Sequence, residues 1–270
     1  MMQLEQGSGP TARSRRDLLL RSVQIAGELL MSAGAILLLF VVWQLWWTNV
    51  ASDARQRDVV KDFARGAGTA APAVPSLPAA SGAAGGAADN NGPAAVAAKP
   101  VVAPEPAEGA TIGILYVPRF GAGYTRPIVQ GTTPAVLDTL GIGHYRGTAM
   151  PGAAGNFAVA GHRQTHGAVL DHIDALVPGD RIYVQTREGY YVYVFRNSQT
   201  VLPSRTDVLL PVPTQPGAAP TESYLTMTSC NPRFGSQERF VAYAVLERWQ
   251  PVSAGPPAEI AQAARAAREG

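Results

Sequence analysis

The spacing of apolar and polar residues changes character along the chain. From Leu29 to Trp47 the run LLMSAGAILLLFVVWQLWW carries no charge, and the uncharged stretch continues to Ser52. That is close to the roughly 20 apolar residues a helix needs to cross a bilayer. Trp43, Trp46 and Trp47 fall toward its C-terminal end, where an amphipathic indole sits at headgroup level. A buried core helix and a cleaved signal peptide are the alternatives. The run exceeds a signal h-region of about 7–15 residues and no small-x-small cleavage site follows, so the pattern predicts an uncleaved anchor.

Beyond the anchor, Asp53 to Arg65 is charged and can extend the membrane helix by a few turns. Gly66 to Glu108 is then rich in Ala, Gly and Pro, with no aromatic residue and little large aliphatic surface. Such a segment cannot bury enough apolar area to offset its ordering entropy, so a disordered or extended tether is expected. From about Thr111 the period shifts to that of strands. IGILYVP, NFAVAG, RIYVQT, YYVYVF, YLTMTSC and RFVAYAVL are short runs rich in β-branched and aromatic residues, separated by Gly, Pro, Asn and Asp. Only TPAVLDTLG and the stretch from His166 to Leu176 read as helical. Many short strands point to an all-β barrel or sandwich. The segment after Gln250 is expected to be a solvated tail, with a partner-binding amphipathic helix as the alternative.

The expected organisation is a cytoplasmic tail (1–28), a transmembrane signal-anchor (29–50), a charged stretch and tether (51–110), a catalytic domain (111–250) and a C-terminal tail (251–270). Charge adds little to the choice of orientation. Arg13, Arg15, Arg16 and Arg21 precede the apolar run, and Arg55, Arg57, Lys61 and Arg65 follow it, so the positive-inside count is a tie. The short leading tail and long following domain favour a cell-membrane, single-pass arrangement with the domain extracellular. The net charge of +2, from 22 Lys+Arg against 20 Asp+Glu, comes with no long basic run. Nucleic acid is therefore not an expected partner.

Candidate chemistry centres on Cys230, the only cysteine. A lone thiol in an exported domain has no internal disulfide partner and is either reactive or a small buried hydrophobe. Its position favours reactivity: Cys230 ends an apolar run, the turn formers NPRFGSQE follow, and Arg239 opens the next run. If the two runs pair as a hairpin, the guanidinium lies beside the thiol, where it favours the thiolate and stabilises an oxyanion. An acylated thiolate also needs a proton donor for its leaving group, and histidine is the usual one. His162, directly after the strand-like NFAVAG, is the first candidate and His166 the second; His144 and His172 lie in less defined surroundings.

His162 and His166, with His172, also make a rival metal triad. The spacing is weak, because Arg163 stands where a zinc hydrolase of the H-E-x-x-H type has its glutamate and Gly167 interrupts a helix. Asp171 and Asp174 read as a helix cap and a solvated face. The glycines at 121–123 and 141–143 read as turns.

Taken together, these residues resemble the sortase family. Thr226-Met227-Thr228-Ser229-Cys230 is similar to the signature T-L-x-T-C, Arg239 stands where the sortase arginine does, and GHR at 161–163 matches the segment bearing the histidine. LYVPRFG, GHYRGTAMPGAAGNFAVAGHR and CNPRF look most like class E sortases of high-GC Gram-positive bacteria. The likeness spans about Thr111 to Trp249. Met227 keeps apolar volume and Ser229 keeps a hydroxyl, so these departures preserve the chemistry; Asn231 stands where many class E members have histidine, which bears on substrate preference.

The resemblance implies a closed eight-stranded β-barrel and a cysteine transpeptidase with Cys230, His162 and Arg239 as catalytic residues. Thr228 and Ser229 are the candidate substrate-binding residues. The implied substrates are secreted proteins bearing an L-A-x-T-G or L-P-x-T-G sorting signal, cut between Thr and Gly and joined to the amine of a lipid-linked peptidoglycan precursor. No metal or organic cofactor is implied. The alternatives are a pilin polymerase, a hydrolytic cysteine protease and a silent wall-binding module.

Overall fold

The alternating runs form eight strands, β1 (Thr111–Tyr116), β2 (Thr125–Gln130), β3 (Ile142–His144), β4 (Gly155–Ala160), β5 (Arg181–Gln185), β6 (Gly189–Val201), β7 (Ser223–Asn231) and β8 (Glu238–Pro251). In the structure, a computed structural model that describes residues 15–66 and 99–269, they close into a barrel in the order β1-β2-β3-β4-β7-β8-β6-β5. The pairs β2–β3 and β4–β7 are parallel and the other six are antiparallel. Strand alternation sends one face of every strand inward. Leu115, Ile128, Ile142, Phe157, Val159, Ile182, Val184, Tyr193, Leu225, Met227, Ala242 and Ala244 thereby meet in one core.

Two strands escaped the sequence pattern. β2 begins TRP, polar and proline-bearing, and β3 is the three-residue IGH that reads as a turn. Its glycine is required by close approach: a Cβ on Gly143 would lie 2.3 Å from the Gly131 carbonyl oxygen. Of the two expected helices, TPAVLDTLG yields only the one-turn α2 (Pro134–Leu137). The stretch from His166 to Leu176 is a run of turns with a short 3₁₀ segment, Ile173–Ala175. The reason is local, since His166, Gly167 and Ala168 all have positive φ, at 54°, 87° and 46°, which an α-helix cannot contain.

The chain divides into two compact units, Met1–Trp47 and Thr48–Gly270. The long helix α1 (Arg15–Gly66) contributes to both. In its first part lies the one helical segment among the described residues that is long and apolar enough to cross a membrane. Its last part, Thr48–Gly66, belongs with the barrel. Ser52, Gln56, Val60, Phe63 and Ala64 are buried along one stripe of this charged stretch, at the spacing of a helix face.

The C-terminal segment differs from the solvated tail expected. It ends in α3 (Ala261–Glu269), whose Ala263 and Ala264 pack, with Ile260, against Val60, Phe63 and Ala64. Together they cover Ile114, Tyr116, Tyr183, Tyr190 and Val192 on the outer barrel face. Ile260, Ala263, Ala264 and Ala267 recur at three- to four-residue spacing along one face, and the tyrosine-rich outer face of β1, β5 and β6 gives that face something to cover. Most of the expected tether, residues 67–98, lies outside the described residues, as do residues 1–14 of the tail. Its last residues lie on the barrel: Gln130 Nε2 donates to Glu105 Oε1 at 2.6 Å, and Arg146 pairs with Glu108 at 3.2 Å.

Candidate active site

Leu225 and Met227 point into the core, so alternation along β7 sends Thr226, Thr228 and Cys230 to the outer face. On β8, Ala242 and Ala244 point inward, which puts Arg239 and Val241 outward. The antiparallel register pairs Cys230 directly with Arg239. Both are partly buried. Arg239 Nη1 donates to the Ser236 and Glu238 carbonyls at 2.9 and 2.8 Å, holding the guanidinium on the turn that joins the two strands.

β4 lies on the other side of β7, in parallel register with Ala160 opposite Thr228. The pairing continues past the end of β4, where Gly161 N donates to the Thr228 carbonyl at 3.1 Å and Ser229 Oγ donates to the Gly161 carbonyl at 2.8 Å. Phe157 and Val159 point inward, so alternation carries His162 to the outer face, one strand from Cys230. Gly161 is demanded here by packing, since a Cβ would lie 2.7 Å from a Val169 methyl group. The fold therefore brings Cys230, His162 and Arg239 to one end and one face of three adjacent strands.

The candidate substrate contacts divide between the two faces. Thr228 shares the outer face with Cys230, and its Oγ1 is 2.9 Å from the Tyr145 hydroxyl. Ser229 faces inward, where its hydroxyl fastens the His162 loop to β7. Both side chains are buried.

His162 Nε2 lies 2.6 Å from Asp138 Oδ1, and His166 Nε2 lies 3.9 Å from the same oxygen. The ligand atoms of Asp138, His162 and His166 all fall within 4.8 Å of one another, close enough to gather a cation. The Asp138–His162 hydrogen bond accounts for the grouping of those two without one. His172, the third member of the rival metal triad, instead sets its ring 6.4 Å from that of Phe120. His144 is fully buried, with Nδ1 2.7 Å from Gln130 Oε1, Nε2 2.9 Å from Thr148 Oγ1, and its ring stacked on Phe157. Burial holds its pKa below the ordinary histidine value.

Some functional candidates were not visible as such in the sequence. Arg163, only 4% exposed, donates to Asn231 Oδ1 at 2.7 Å, pairs with Asp174 at 2.6 Å and stacks over Phe240. It thereby ties the residue after His162 to the residue after Cys230. Asp171 is an ion-pair partner rather than a helix cap, holding Arg233 of the turn between β7 and β8 at 2.7 Å, and Asp174 lies on the exposed face expected for it while also pairing with Arg163. Asp138 carried no spacing signal, because 24 residues separate it from His162.

Residues 115–247 match the family model described as the sortase domain. The chain is 32% identical to sortase SrtE2 of Streptomyces coelicolor over 274 aligned positions, covering 96% of each chain. It is 35% identical to sortase SrtE1 of the same organism over 242 positions, covering 86% of this chain and 59% of that relative's length. Among solved structures, the SrtA sortase from Actinomyces oris matches with a TM-score of 0.58 at 39% identity, over 60% of this chain and 93% of that one.

Proposed function

The chain belongs to the sortase family, whose members are cysteine transpeptidases, and we propose that it cleaves a C-terminal sorting signal of the L-A-x-T-G or L-P-x-T-G kind between Thr and Gly. The Thr carbonyl is then joined to the amine of a peptidoglycan precursor. The observation that carries this reading is the pairing of Cys230 with Arg239 while the His162 loop is bonded to the same strand.

The Cys230 thiolate attacks the threonine carbonyl carbon, and Arg239 stabilises the negative charge that develops on its oxygen. As the C–N bond breaks, His162 gives a proton to the departing glycine amine, leaving a thioester on Cys230. An incoming amine attacks that thioester and loses a proton to His162. The C–S bond then breaks and the thiolate is restored. Asp138 orients the imidazole by engaging Nε2, which gives the proton exchange to Nδ1. Thr228, beside Cys230 on the outer face, contacts the signal, and Ser229 supports it by holding Gly161.

The apolar part of α1 anchors the chain in the cell membrane with the barrel extracellular, where a membrane-retained substrate and a lipid-linked precursor are both within reach. The test uses the detergent-solubilised chain with an L-A-x-T-G peptide, a wall-type amine and a pilin-type lysine peptide, and follows products by mass spectrometry. Exchange of the terminal glycine for the wall amine, absent in Cys230→Ala, supports the reading. Preference for the pilin lysine makes the enzyme a polymerase, and hydrolysis alone makes it a protease.

A further inference from the structure

The segment 48–66 of α1 does more than cover apolar surface. Asn49 Oδ1 accepts a hydrogen bond from Gly167 N at 3.1 Å, and Asn49 Nδ2 donates to the Gln164 carbonyl at 3.4 Å. One turn on, Ser52 Oγ donates to the Asp138 carbonyl at 3.1 Å. Another turn on, Gln56, fully buried, donates from Nε2 to the His166 carbonyl at 3.0 Å. Asp53 pairs with Arg126 at 3.0 Å, and Arg126 in turn donates to the Gly167 carbonyl at 3.2 Å. These polar residues recur at three- and four-residue spacing, so one helix face presents them all.

The targets of Asn49, Ser52 and Gln56 are confined to the loop that follows His162 and to the backbone of Asp138, the carboxylate that holds His162; Asp53 reaches the same loop through Arg126 of β2. That loop is conformationally unusual, with positive φ at His166, Gly167 and Ala168, and non-glycine residues keep such angles only where surroundings enforce them. The approach is also close. A Cβ on Gly167 would lie 2.9 Å from Gln56 Oε1 and 3.1 Å from Asp53 Oδ1.

We propose that Asn49, Ser52 and Gln56 are positioning residues for catalysis: the helix segment just after the membrane-spanning run clamps the His162–Gly167 loop and Asp138, and so sets the imidazole against Cys230. This rests on the assignment of His162 as the acid and base of the transpeptidase. The active site is then incomplete without a segment that lies far outside the sortase domain in sequence. Within this segment, Val60, Phe63 and Ala64 are the residues that help cover the tyrosine-rich face; the polar face of Asn49, Ser52 and Gln56 serves the loop.

The test uses the full chain in detergent micelles with Asn49→Ala, Asn49→Asp and Gln56→Ala. Hydrogen exchange at the 163–168 amides reads the clamp without any substrate. Asn49→Ala is expected to speed exchange at Gly167 by about 10-fold or more, whereas Asn49→Asp, which keeps the accepting oxygen, stays near wild type. In transpeptidation kcat is expected to fall about 10-fold in Asn49→Ala with KM within about 2-fold of wild type, because the histidine acts on the transition state rather than on binding. Asn49→Asp recovers most of the rate. Unaltered exchange in both Asn49→Ala and Gln56→Ala overturns the clamp. Faster exchange with unaltered kcat overturns the positioning role. A wild-type chain inactive on every sorting peptide sinks the proposed function instead. In that case the rate of Cys230 alkylation, which needs no substrate, reads the histidine's placement: a change in Asn49→Ala supports positioning and no change overturns it.

Discussion

His162 Nε2 sits 2.6 Å from Asp138 Oδ1, and in the proposed mechanism that contact leaves Nδ1 as the ring nitrogen for proton exchange. With Nε2 committed to a carboxylate, the tautomer and tilt of the imidazole are set from behind, as in other nucleophile–base–orienter arrangements. General acid–base catalysis contributes about 100- to 10,000-fold, so loss of the orienting carboxylate in Asp138→Asn is expected to lower kcat about 10- to 100-fold. Steady-state kinetics check this, and a kcat within 2-fold of wild type would remove Asp138 from the account.

Arg163 anchors the site from beneath. Arg163→Met keeps the packing on Phe240 but loses the charge-assisted bonds to Asn231 and Asp174. The expected cost is about 1–3 kcal/mol of stability, read by chemical denaturation, together with a lower rate because Asn231 adjoins Cys230. An unchanged unfolding midpoint would contradict the anchoring role.

Much of the architecture was legible in the sequence because strands announce themselves by alternation and Cys230, His162 and Arg239 sit in short, dense motifs. What stayed hidden was long-range. Asp138 reaches His162 only because β3 and β4 fold its loop beside theirs. Asn49 read as the end of the membrane anchor, Ser52 as the end of its uncharged run and Gln56 as part of the charged stretch beyond, yet at helical spacing they form a polar stripe that a partner loop satisfies. The turn-rich 166–176 segment passed for a helix because periodicity does not report positive φ. α3 passed for a tail because alanine and arginine suit solvent and packing alike, and only the tyrosine face decides between them.

Ile260 is 2% exposed beneath the outer helical layer. Ile260→Ala should destabilise the barrel unit by about 2–4 kcal/mol, through lost transfer energy and a residual cavity. Thermal unfolding measures this, and no shift in midpoint would show that α3 does not stay on the tyrosine face in solution.

The burial of His144 gives stability a pH dependence. Its folded pKa is lowered by burial, so the folded state favours the neutral ring. Above the unfolded value of about 6.5 the stabilisation is fully present. As pH falls from there toward the folded pKa, the unfolded chain takes up a proton that the folded one does not, and stability declines by at most about 1.4 kcal/mol per pH unit. His144→Gln should flatten that slope in denaturation curves collected between pH 7 and pH 5; an equal slope in both proteins would assign the dependence elsewhere.

The most direct measurement is the mass of the enzyme itself. The full chain is mixed with an L-A-x-T-G peptide in the absence of an amine, quenched in acid and digested, and the peptide bearing Cys230 is weighed. A thioester adduct on Cys230, equal to the peptide up to its threonine and discharged when an amine is added, is the predicted result. Cleavage of the peptide by the Cys230→Ala variant, or an adduct on any other residue, would contradict the account.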